Sequence, residues 1–175
     1  MKKIKQTLQQ IKPLDKETME KTQARLDDLT KPPGSLGVLE KIAKQIAGIT
    51  GRVIPKLPIK AAIIMAGDHG IVKEGVAAFP QEVTAQMIMN FVKGGAAMSV
   101  LTQHENAKLY IVDIGVATEL PNTPHIIKRK VAYGTKNMVK GPAMTLSQAL
   151  QAIEIGIEIT GKAIKDGAGI IAIGE

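Results

Sequence analysis

One apolar run limits the possible folds of this chain more than any other feature. Ala61-Ala-Ile-Ile-Met-Ala66 holds no charge and no turn former, and it breaks at Gly67 into Asp68 and His69. A short run of this kind, closed by a glycine, predicts a strand over residues 60–66 buried on both faces. Strands are buried that way when helices cover a parallel sheet from either side. A carboxylate and an imidazole on a glycine-flanked turn at the carboxyl end of such a strand stand where open α/β sheets place their ligands. The alternative is that Asp68 caps a turn and His69 is merely exposed.

The pattern continues along the chain. Further strands are predicted over 108–114, about 126–132 and 169–173, with helices over about 81–92, 96–103 and 146–165. The last helix opens on a capping box, Thr145 with Gln148 three residues on, and turns Ile153, Ile157 and Ile164 inward. Alternation of apolar strands with helices defines an α/β fold, a parallel sheet with helices on both faces. Residues 1–58 read as a small helical region ahead of that domain, which begins at residue 59. Helices are expected over 2–10 and, behind an Asp15 cap, over 16–29. Lys31-Pro-Pro-Gly-Ser-Leu-Gly37 cannot be helix because its prolines lack donors. Ser35 then caps a third helix with Leu36, Leu39, Ile42, Ala43, Ile46 and Ile49 on one face, and a Glu40–Lys44 pair on the other. The sequence stops at Ile170-Ile-Ala-Ile-Gly-Glu175, on a buried strand whose covering helix is still due. The sheet is therefore expected to be incomplete and the chain a fragment.

Composition removes several function classes. With no cysteine, disulfides and thiolate–zinc sites are excluded, which suits a reducing cytoplasm. No apolar h-region follows the basic N-terminus, and no run approaches the ~20 residues of a membrane span. The net charge of +7 lies in residues 1–60, which hold 13 Lys/Arg against 6 Asp/Glu. Those lysines are spread along helices, and two Phe and two Tyr offer few rings for stacking bases. A solvated face accounts for the charge, and neither nucleic acid nor membrane is expected as a partner. His69, His104 and His125 are isolated, without H-E-x-x-H spacing or a G-x-S-x-G elbow, so no metal or cofactor is expected. Gly94-Gly95 fits either a phosphate at the next helix N-terminus or a tight interhelical turn. Two further polar loops follow strands: Asp113-Ile-Gly-Val116, and residues 133–144 with Lys136, Asn137 and Lys140. With Asp68, His69 and Glu175 they would converge on one sheet edge.

Taken in order, several segments resemble the nicotinate-nucleotide–dimethylbenzimidazole phosphoribosyltransferase family. They are Leu29-Thr-Lys-Pro-Pro-Gly-Ser-Leu-Gly37, Ala66-Gly-Asp-His-Gly-Ile71 with Glu74-Gly-Val76, Pro80 with Val83-Thr84, Gly94-Gly95, Val112-Asp-Ile-Gly115, Gly141-Pro-Ala-Met144 and Gly174-Glu175. The resemblance covers the N-terminal part of a longer family and implies a Rossmann-like, homodimeric enzyme. It further implies transfer of phosphoribose from nicotinate mononucleotide to 5,6-dimethylbenzimidazole, by way of a glutamate base beyond residue 175. No residue of this chain is thus expected to be the base, and the fragment alone is expected to be inactive. Glu175 aligns with the glutamate that engages the ribosyl group, and residues 79–87 with a wall of the benzimidazole pocket. There the chain departs from the pattern. Phe79 replaces a small residue, and Met87 falls at a pocket glutamine with Gln86 one position earlier. Substrate-binding candidates are therefore Asp68, His69, Phe79, Gln86, Met87 and Glu175. Residues 31–37 could act across a dimer interface. The rival reading is a non-catalytic α/β module that binds an azole or a nucleotide.

Overall fold

The computed structural model describes residues 1–56 and 58–175. They form two compact units, Leu8–Leu57 and a second made of Met1–Thr7 with Pro58–Glu175.

The second unit carries a four-stranded sheet. Its strands are β1 (Ile59–Gly67), β2 (Lys108–Gly115), β3 (Ile126–Lys128) and β4 (Ala168–Gly174), in the order β3-β2-β1-β4, with every pair parallel. β1 lies inside, with Ile63 opposite Tyr110 on one side and Ile173 on the other. Because side chains alternate along a strand, its residues divide between two cores. Ala61 and Ile63 pack with Tyr110, Val112 and the inward face of the helix Leu146–Lys165. Ala66 and Ile111 pack with Ile88 and its neighbours on the helix Glu82–Lys93. Burial of a side chain such as Ile63, 1% exposed, contributes about 1.5–3 kcal/mol. The expected α/β class, with helices on both faces of a parallel sheet, is the fold observed.

Several local expectations are corrected. The ladder of the third strand ends at Lys128, short of residue 132. The Arg129 and Val131 amides nevertheless donate to the Asp113 and Ile114 carbonyls, at 2.9 Å each. In the Leu146–Lys165 helix the buried residues are Ile155, Ile159 and Ala163, spaced four apart, while Ile153 and Ile164 face outward. An isoleucine at nearly every second position gives this helix apolar residues on more than one side, so periodicity alone misplaces its inward face. The capping box at Thr145 and Gln148 is present. β4 is a sheet edge with Ile170 and Ile173 exposed, in line with the incomplete sheet expected from the sequence. Gly94 ends the Glu82–Lys93 helix in a left-handed conformation, and its amide and that of Gly95 are spent on carbonyls of the last turn. Of the two readings, the tight turn into the next helix, Ala97–His104, is the observed one.

In the unit Leu8–Leu57, helices Lys16–Asp27 and Val38–Thr50 lie against each other. Asp15 caps the first through the Thr18 amide at 3.0 Å, as expected. The second departs from expectation. It starts after Gly37 with no side-chain cap, and Ser35 belongs to the preceding turn. Leu39, Ile42 and Ile49 are exposed, and the buried residues are Glu40, Ala47 and Gly48. The cause is close packing: a Cβ on Gly48 would meet the Met19 side chain at 2.7 Å. Glu40 pairs not with Lys44 but with Lys31, at 2.8 Å.

Candidate active site

The site is built on the carboxyl end of β1. The β1–β2 register shifts between Ala66 and Gly67, and the chain leaves the sheet at Asp68. Neighbouring loops hold that residue on three sides. Its amide donates to the Gly115 carbonyl at 2.9 Å, and its carbonyl accepts from the Thr135 amide at 2.9 Å. Its Oδ2 accepts from the Ala117 amide at 2.7 Å. Gly70 follows His69 and opens a 3₁₀ turn, Gly70–Glu74. A Cβ on Gly70 would lie 2.6 Å from the backbone of Lys136 and Asn137, so glycine is needed there for the two loops to touch. The three polar loops expected at one sheet edge do meet.

Two cavities flank this turn and share Gly67, Asp68 and His69 as a wall. The first, about 520 Å³, lies on the Glu82–Lys93 side. Phe79, Met87 and Ile88 give it an apolar wall, and Asp68, His69 and Glu175 are its ionisable groups. Phe79 is 71% exposed and forms part of the rim, while Met87 is partly covered. The second cavity, about 420 Å³, lies between the end of β2, residues 131–136 and the start of the Leu146–Lys165 helix. Five of the six candidates, Asp68, His69, Phe79, Met87 and Glu175, therefore surround the first cavity. Gln86 is exposed on its helix and lies outside the lining, to which the next two residues, Met87 and the buried Ile88, belong.

Lys130 and Glu119, which sequence patterns did not single out, join Asp113 and Tyr133 of the two polar loops in framing the wall. Asp113, 1% exposed, accepts from the Val116 amide at 3.0 Å and pairs with Lys130 at 3.2 Å. The Tyr133 hydroxyl donates to Glu119. That bond holds the Glu119 carboxyl below its ordinary range and pushes the phenol upward. Among the described residues no cluster of His, Asp or Glu is placed to hold a metal ion, and no helix is long and apolar enough to cross a membrane.

A parallel α/β sheet with cavities at the carboxyl end of its inner strand is the arrangement in which open α/β proteins place their ligand sites. Residues 11–175 match the family model described as phosphoribosyltransferase, and the chain belongs to that family. It is 49% identical, over its whole length, to half of the nicotinate-nucleotide–dimethylbenzimidazole phosphoribosyltransferase of Chloroflexus aggregans. Its counterpart from Geobacter sulfurreducens is 47% identical over 98% of this chain and 49% of that protein. The crystal structure of the Thermus thermophilus enzyme of the same name superposes with a TM-score of 0.89. That match is 45% identical and covers 91% of this chain and 48% of that one. The chain spans about half the length of the curated relatives it matches.

Proposed function

We propose that this chain supplies the acceptor-binding part of a nicotinate-nucleotide–dimethylbenzimidazole phosphoribosyltransferase. The observation that carries the reading is the first cavity. It has an apolar wall suited to a flat azole, and carboxylates at Asp68 and Glu175. The names of the relatives support the same assignment. In the reaction an azole ring nitrogen attacks the anomeric carbon of nicotinate mononucleotide as the bond to nicotinate breaks. The products are α-ribazole 5′-phosphate and nicotinate. Inversion from the β nucleotide to the α product calls for attack opposite the leaving group, through a transition state of oxocarbenium character by analogy with glycosides. The proton lost from the azole N–H needs a base. None of the residues lining the cavity is assigned that role, and the base is placed in the half of the enzyme that this chain does not span.

Within the site, Phe79 and Met87 contact the acceptor ring and Glu175 engages the ribosyl group. Asp68 and His69 offer polar contacts from the shared wall. The enzyme works as a homodimer in the cytoplasm, and the exposed Leu39, Ile42 and Ile49 are consistent with covering by a second copy. Sedimentation of the enzyme tests that assembly.

Incubating the full-length enzyme with both substrates tests the reaction itself. Ribazole phosphate is the expected product, and its absence from a folded protein would refute the assignment. Phe79→Ala removes aromatic contact worth about 1–3 kcal/mol, at roughly 25 cal/mol per Å². It should raise the acceptor KM and leave that for nicotinate mononucleotide nearly unchanged. The half-length chain favours a second reading for the 175 residues alone, in which they bind the azole without turnover. Calorimetry with dimethylbenzimidazole, run beside the activity assay, separates the two.

A further inference from the structure

The turn at residues 115–118 is held from both sides. The Gly115 carbonyl accepts from the Asp68 amide at 2.9 Å. The Val116 amide donates to Asp113 Oδ1 at 3.0 Å, and the Ala117 amide donates to Asp68 Oδ2 at 2.7 Å. Lys130 Nζ donates to the Val116 carbonyl at 2.6 Å and to the Thr118 carbonyl at 2.8 Å. The same ammonium stands 3.2 Å from Asp113 Oδ2 and 4.5 Å from the centre of the Tyr133 ring.

An ammonium has three donors. Two carbonyls accept from it and the Asp113 carboxylate is its counter-ion at 3.2 Å, so the ammonium is directed at this turn. Asp113 is likewise directed there, and neither residue lines the two cavities. As a stabilising device the pair is poor, because the cost of desolvating two charges offsets much of their attraction. What it does supply is geometry. One ammonium and one carboxylate together engage backbone groups of Val116 and Thr118, and the Ala117 amide between them grips Asp68.

We propose that Lys130 and Asp113 are positioning residues for the site. They fix the 115–118 turn and, through the Ala117 amide, set where the Asp68 carboxylate stands in the wall between the cavities. The inference rests on the reading of the first cavity as an acceptor site, so its test uses one readout that depends on the acceptor and one that does not.

Three variants of the enzyme are compared: Lys130→Met, Asp113→Asn, and the two combined. Lys130→Met strands a buried carboxylate and should lower the melting temperature. The double variant removes both charges and keeps an oxygen for the Val116 amide, so its melting temperature should return towards that of the wild type. Dimethylbenzimidazole affinity in the double variant should nevertheless stay about tenfold or more weaker, since small misplacements of contact groups are costly. Hydrogen exchange at the Ala117 amide, which lies between the two carbonyls released by Lys130, should stay accelerated as well. A double variant with wild-type exchange at that amide would overturn the proposal, and so would one with accelerated exchange and unchanged affinity. If the wild type binds no azole, the substrate reading falls and the exchange of the Ala117 amide still decides whether the clamp exists.

Discussion

The sheet unit buries large apolar side chains, whereas the helical unit buries small and polar ones. In the sheet unit the interior is Ile63, Val112, Ile88 and Ile159, each at most 1% exposed. In the helical unit the buried positions of the two facing helices are Thr18, Thr22, Glu40, Ala47 and Gly48, while Leu39, Ile42 and Ile49 stand in solvent. A sheet offers a wide, nearly flat apolar area that only large side chains can fill. Two short helices can instead approach through small residues and hydrogen-bonded hydroxyls. Thr22 bonds back to the Thr18 carbonyl at 2.8 Å, and Thr18 bonds to Asp15 at 2.7 Å. Among the described residues the large buried apolar side chains therefore belong to the sheet unit, although that unit also exposes Ile153, Ile164, Ile170 and Ile173.

Substitutions can break this contrast. Ile159→Ala should cost about 2–5 kcal/mol, because the sheet leaves little room for the cavity to collapse. Chemical denaturation measures it, and a loss below 1 kcal/mol would mean that this core is loosely packed. Gly70→Ala should cost about 1–3 kcal/mol by forcing a methyl group against the backbone of residues 135–137. It should also weaken azole binding, and unchanged stability would show that the two loops can separate freely. Removing the Asp15 cap with Asp15→Ala should cost about 1 kcal/mol. In the same unit, Ile42→Ser should change the stability of the isolated protomer by no more than about 0.5 kcal/mol. A larger loss in the isolated protomer would place Ile42 in a core and end the comparison.

Acid sharpens the contrast further. The Lys31 ammonium, 2.8 Å away, holds the Glu40 carboxyl below its ordinary value of 4.5. A lowered folded-state value means that the contribution of Glu40 is fully present above about pH 4.5 and is lost as the pH falls through that lowered value. Melting curves from pH 7 to pH 3 should therefore show a steeper acid loss for the wild type than for Lys31→Met. Equal slopes would show that the pair contributes nothing to folding.

How much of this was legible depended on the range of the interaction. β1, its glycine break and the exposed position of His69 follow from adjacent residues, as do the caps at Asp15 and Thr145. The cavity wall at Phe79 and Met87 was readable through family resemblance, and the misplacement of Gln86 shows the limit of one-residue registration on a helix. Glu40 was misread because the i,i+4 rule selects Lys44, whereas the turn at residues 31–37 brings Lys31 back to it. Lys130 could not be found from sequence. It reaches Asp113 because residues 129–131 continue along β2 past the end of the ladder, and nothing local marks that path. The inward face of the last helix was lost to an excess of isoleucine, which leaves no single apolar stripe to choose.

The strand order β3-β2-β1-β4 has a consequence for synthesis. β1 and β2 are complete once residue 115 has been made, yet the second partner of β1 arrives only with residues 168–174. A nascent chain emerging at ~5–20 residues per second would hold one edge of β1 unpaired for several seconds. That edge is the row Ile59 to Ile64. Ribosome-associated chaperones that shield apolar segments would be needed most in that interval, and slow codons placed between residues 115 and 168 should lower the soluble yield.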